Sequence, residues 1–149
     1  MKPEVDVVLG GFLGTLLTEI APQLGAEYSL GSVGLIAMTV GMAAQEFDRA
    51  ADLRVAENRE MRALFSEATK LVGDRGLAAR LEEAAASQDG SFRVSALNAT
   101  NDALAKLLIE LQAHVEESQA NWAAPFEAKI WDYIVGAAER RRVVLPTFG

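Results

Sequence analysis

Apolar residues recur at helical spacing along almost the whole chain, and the positions where that spacing breaks mark five segments. From about Pro3 to about Ala21, Val7, Val8, Leu9, Phe12, Leu13, Leu16, Leu17 and Ile20 cover a wide face. This predicts a first helix with Pro3 in its first turn, Glu4 and Asp6 at its positive end, and Pro22 beyond its end. Gly10, Gly11 and Gly14 lie inside it at about 1 kcal/mol each relative to Ala, so they are expected to admit another backbone at close range. After a Gly-containing connector, Ser29 or Ser32 can cap a second stretch that meets no Pro and, beyond Gly41, no Gly until Gly73. It is either one helix of about 43 residues, roughly 64 Å long, or two helices broken near Glu46 to Asp52. Leu30 to Ala44 is apolar nearly all round, as an enclosed helix is, whereas Asp48 to Val72 carries one apolar stripe among charges.

Gly73-Asp74-Arg75-Gly76 reads as a turn, and Leu77 to Ala86 as a short helix facing inward through Leu77, Leu81 and Ala84 or Ala85. Ser87 to Ser91 is a loop. A long helix then starts between Ser91 and Ser95 and runs to about Ser118 on the stripe Val94, Leu97, Asn101, Leu104, Leu107/Leu108, Leu111 and Val115. The last helix opens at Asn121 or a neighbour, has Pro125 near its first turn, and ends around Arg142. Residues 143–149 form a short apolar tail that Pro146 keeps from continuing as helix and that must dock somewhere. Strand signals are scarce. The expected fold is all-α, an antiparallel bundle of four to five helices in a single domain spanning 1–149.

Two of these helices share a pattern. Residues 56–67 and 99–110 both read A-x-N-x-x-[ML]-x-x-L-[FL]-x-E. Asn58 leads Met61, Leu64 and Phe65, and Asn101 leads Leu104, Leu107 and Leu108, at the same offsets, which places each Asn on its helix's apolar stripe. Two amides are thus aimed at a core, where an unpaired one costs about 1–3 kcal/mol. Satisfying each other and fixing register is the structural expectation; holding a polar group of a ligand is the functional one. The repeat helices are expected to be neighbours, with a pseudo-twofold axis as one way of relating them.

Composition narrows the function. Half of the 149 residues are hydrophobic and 23% are charged, ample for a core. A net charge of −7 opposes phosphate backbones and anionic lipid, so no nucleic-acid partner is expected. The basic cluster Arg140-Arg141-Arg142 falls where the last helix ends and complements its dipole. Cysteine is absent, which removes thiolate nucleophiles, disulfides and Cys-ligated metals. The N-terminus lacks the pattern of a clear signal peptide, and a cytoplasmic location is expected. Tyr28 to Gln45 is free of charge for about 18 residues, the lower limit for spanning a bilayer. Ser29, Ser32, Thr39, Gln45 and three Gly dilute it, so a buried core helix is preferred to stable membrane insertion.

Chemistry has few carriers. His114 is the one histidine, with Glu110 and Glu117 one turn to either side on the same helix face. Glu67, which aligns with Glu110 in the repeat, is the carboxylate a facing helix could add. A di-iron bundle needs more histidines than this chain has, and neither a metal site nor a cofactor is expected. Gly10/Gly14 and Gly34/Ala37/Gly41/Ala44 are small-residue faces through which the first helix is expected to pack on the apolar half of the second, a subunit interface being the alternative. They form no nucleotide-binding loop. Trp122, Trp131 and Tyr133 are expected to pack against the bundle. The leading expectation is a non-catalytic helical protein acting through homo-oligomerisation or a larger protein partner. The alternative is a bundle that binds a small apolar ligand or metal between the repeat helices, using Asn58, Asn101, Glu67, Glu110 and His114. Peripheral membrane attachment through the first two helices is a third class.

Overall fold

The computed structural model describes residues 2–25 and 27–144, the side chains of 27 and 28 excepted. Among these the protein is all-helical, with five α-helices and no strand: α1 Val5–Thr15, α2 Glu27–Ala68, α3 Arg75–Ala86, α4 Val94–Glu117 and α5 Ala123–Arg140. The second stretch is therefore one helix of 42 residues and not two. It begins at Glu27, ahead of Ser29 and Ser32, so neither serine caps it. The first helix departs from expectation at its end. It is α-helical only to Thr15, widens into a π turn over Leu16–Ile20 and tightens into a 3-10 turn over Ala21–Gln23. Pro22 supplies the reason, because it lacks an amide hydrogen and its ring crowds the carbonyl four residues back, at Thr18.

The described chain divides into two compact units, one running to Ala50 together with the segment from Arg142, the other Ala51–Arg141. The Ala51–Arg141 unit holds the core. Met61, Leu64, Phe65 and Ala68 of α2 pack with Val72, with Leu77 and Leu81 of α3, with Leu104, Leu108, Leu111 and Val115 of α4, and with Ala123, Phe126 and Ile130 of α5. Helical spacing dictates each contribution, since these residues recur every three or four positions and so line one side of their helix. Asp74 starts α3 by accepting a hydrogen bond from the Leu77 amide at 2.9 Å, an N-cap worth about 1 kcal/mol. Trp122 meets Phe126 edge to face, with ring centroids 6.3 Å apart.

The other unit is built differently. Between residues 29 and 45 only Ala37 and Gly41 are buried, and α1 buries none of its residues. Val7, Phe12, Leu35, Ile36 and Phe47 are each more than half exposed. The expectation that Leu30 to Ala44 is an enclosed helix is thus not met, because no described element covers it. Nor do the glycines meet a neighbouring helix: a Cβ placed at Gly10, Gly11, Gly14, Gly31 or Gly34 would find no such atom within 4 Å. The tail does dock as far as it is described. The Gln45 amide donates to the Val144 carbonyl at 2.7 Å and accepts from the Val144 amide at 3.2 Å, while Arg49 donates to the Arg142 carbonyl at 2.8 Å. Pro146 and the rest of the tail lie outside the described residues.

This contrast makes core substitutions diagnostic. Phe65→Ala should destabilise the protein by about 3–5 kcal/mol, as read from urea unfolding followed by circular dichroism, because Phe65 is fully buried. Phe47→Ala, at an exposed position, should change stability by less than about 0.5 kcal/mol in the same titration.

Candidate functional site

The repeat's two amides meet. Asn101 on α4 donates from Nδ2 to Asn58 Oδ1 on α2 at 3.0 Å, and to Glu57 Oε2 at 3.1 Å. Asn58 is fully buried and Glu57 is 1% exposed. Burying an amide and a carboxylate side by side is costly unless every acceptor finds a donor, and the surroundings supply them. Arg141 reaches Glu57 through two bonds, Nε to Oε1 at 2.6 Å and Nη2 to Oε2 at 2.5 Å. This forked geometry is the strongest form of carboxylate pairing. On the other side Asn58 donates to Asp89 Oδ1 at 2.9 Å, and Arg62 clamps the same carboxylate from Nη1 and Nη2 at 3.2 and 2.8 Å. Arg62 Nε donates onward to the Ser87 hydroxyl at 3.1 Å.

The result is one continuous chain of hydrogen bonds, Arg141–Glu57–Asn101–Asn58–Asp89–Arg62–Ser87. It ties α2 to α4, to the residue after α5 and to the loop after α3. Two ion pairs flank two amides, so the chain is balanced in charge. Its electrostatics follow from the contacts. The Arg62 guanidinium, hydrogen-bonded to Asp89, holds that carboxyl below the usual carboxylate range, with Asn58 adding to this against the opposing effect of burial. Burial pushes the Tyr133 phenol up to about 12, and the Glu57 and Glu60 charges add to the rise. Beside Glu57 and Asn101 lies an open depression of about 220 Å³, with Tyr133, Ile134, Ala137 and Arg141 in its wall.

The remaining candidates are placed elsewhere. Glu67 is ion-paired with Lys129 of α5. Glu110 receives a bond from Arg80 of α3 at 2.5 Å, and the bonded carboxylate raises the Arg80 guanidinium above its ordinary value. His114 is half-buried on α4. The structure therefore joins Asn58 and Asn101 and does not bring Glu67, Glu110 and His114 to them. Among the described residues no three His, Asp or Glu side chains gather as a metal site. Glu57, Asp89 and Arg62 carry the network without having been singled out from sequence, and Arg141 carries it in a role other than the one its basic cluster suggested. Glu57 left a signal: it precedes Met61 by one helical turn and so stands on the apolar stripe beside Asn58. Arg141 does more than face a helix end, since α5 closes at Arg140 and Arg141 turns back to Glu57. Asp89 and Ser87 come from a loop, where periodicity gives no guide. A larger groove of about 630 Å³ runs between α3 and α4 over Ala84, Ala99, Ala103, Leu104 and Leu107, edged by Arg80, Glu83, Lys106 and Glu110.

No protein-family model, curated protein or solved structure matches the chain.

Two outcomes test the network. In a double-mutant cycle of Asn58→Ala and Asn101→Ala, the coupling energy from chemical unfolding should lie within about 0.5–3 kcal/mol, and a value near zero would mean the amides act independently. The raised Tyr133 pKa has a definite sign. Its contribution to stability is complete below the ordinary tyrosine value of 10.0 and is lost as pH rises through about 12. Tyr133→Phe should therefore flatten the alkaline loss of stability over that window, while phenolate absorbance then reports Tyr28 alone.

Proposed function

We propose that this chain works by association and not by catalysis. Residues 51–141 are read as an antiparallel helical bundle in which the repeat-bearing parts of α2 and α4 lie side by side, and their polar interior serves to fix that pairing. The observation that carries the association reading is the apolar surface of the other unit. Phe12 is 58% and Leu35 68% exposed, and exposed apolar side chains clustered on two helices mark a surface that a partner covers. Such a partner is a second copy or a larger protein. The engaged state of the candidate groups supports a non-catalytic reading, since Glu67, Glu110, Asn58 and Asn101 are each held by a neighbour.

One observation keeps a second reading in view. The depression beside Glu57, Asn101 and Tyr133, about 220 Å³ in volume, brings polar side chains of both repeat helices to one opening.

Native mass spectrometry of the purified chain separates the two. Association predicts an integer multiple of the 16.0 kDa chain mass, or a complex with a second protein. A single chain carrying a small excess mass would instead move the function to the Glu57–Asn101 depression.

A further inference from the structure

We infer that the partner of the apolar unit is a lipid bilayer, crossed once by α1 with the turns that follow it and crossed back by the first part of α2. The inference keeps one part of the association reading, that the apolar unit is covered by a partner, and puts lipid in the place of a second protein. Length is the first argument. Val5–Gln23, 19 residues, covers about 28 Å, and the charge-free run from 28 to 45 about 27 Å, against a hydrocarbon core of about 30 Å.

Polarity decides between lipid and a second copy. A helix that packs on protein in water buries one stripe and keeps a polar face for the solvent. Residues 29–45 hold no charge, and Leu30, Leu35, Ile36 and Met42 are all exposed. A second copy would cover one side and leave the others wet. Of the polar residues that favoured a core helix in the sequence, Thr39 is turned onto its own helix, and Thr18 behaves likewise in the first crossing. Thr39 donates to the Leu35 carbonyl at 2.8 Å and Thr18 to the Gly14 carbonyl at 2.9 Å. That is how a hydroxyl is satisfied where no water is present.

Charge supplies the third argument. No Lys or Arg occurs between Lys2 and Arg49, and the connection between the two crossings is bordered by Glu19 and Glu27. Lys2, Arg49 and Arg54 flank the opposite ends. Basic residues thus gather on one side of the bilayer and are missing from the other, the asymmetry that orients helices in membranes. Asp6 and Glu19, the acids of the first crossing, each fall within about one turn of an end.

The test uses the full chain, synthesised with sealed phosphatidylethanolamine and phosphatidylglycerol vesicles and floated on a sucrose gradient after an alkaline carbonate wash. The chain is expected to float, and Leu35→Arg combined with Ile36→Arg should cut the floated fraction by at least about tenfold. Because the chain lacks Cys, single cysteines report sidedness. A side chain at Gly25 or Gly90 meets no neighbour within 4 Å. An impermeant maleimide added outside should label Gly90→Cys and spare Gly25→Cys until detergent is added. Labelling of both before detergent would overturn the double crossing, as would unchanged flotation of the double-arginine variant. A chain that remains at the bottom of the gradient overturns the bilayer. If it is then an oligomer by native mass spectrometry, association survives without lipid; if it is a monomer, both readings fall.

Discussion

The constraint on which the rest of the Ala51–Arg141 unit depends is the burial of the Glu57 carboxylate beside the Asn58 amide. A charge withdrawn from water is tolerated only where its hydrogen-bonding capacity is met in full. Arg141 and Asn101 meet it for Glu57, while Asp89 and the Leu97 carbonyl accept from Asn58. Each partner comes from a different part of the chain, so the requirement acts as a set of position markers. A helix sliding by one turn along α2 would keep apolar contact somewhere, because Leu and Ala tolerate many registers. It would take from Glu57 one of its donors, Asn101 or Arg141. The apolar core supplies cohesion, and the polar chain selects which arrangement of that core is occupied.

The two units therefore solve opposite problems. In Ala51–Arg141 the apolar side chains are covered by one another and the buried polar groups are paired. In the other unit the backbone polar groups are met within the helices, and the apolar side chains are left uncovered. Water is a poor solvent for the second arrangement and a good one for the first. The acidic surplus of the chain as a whole conceals this division, because the average combines a stretch with no Lys or Arg between Lys2 and Arg49 with a remainder rich in both signs.

Much of the helical layout was legible from periodicity. Leu77 and Leu81, or Leu104, Leu108 and Leu111, announce their helices and their buried faces because one residue in three or four is large and apolar. The pairing of Asn58 with Asn101 was legible for a related reason, since a polar residue on an otherwise apolar stripe must answer to another. Three things were not. The change from α to π geometry at Leu16 depends on Pro22 acting backward over one turn, which a stripe does not record. The roles of Asp89 and Arg141 depend on where a loop and a helix end arrive in space. The exposure of Leu35 and Ile36 depends on what stands opposite them. A wholly apolar helix has the same sequence whether protein, lipid or nothing surrounds it.

The clasp between Glu57 and Arg141 also orders events in time. The two residues are 84 positions apart, so during synthesis the carboxylate leaves the ribosome long before the guanidinium that will enclose it. Until α5 is complete Glu57 lacks its Arg141 partner, so the polar chain that joins α2 to α4 cannot be completed. Residues 5–47 are already outside by then. The apolar helices must find their surroundings while the Ala51–Arg141 unit is still open, whereas the segment from Arg142, which docks on Gln45 and Arg49, joins them only after α5 has been made.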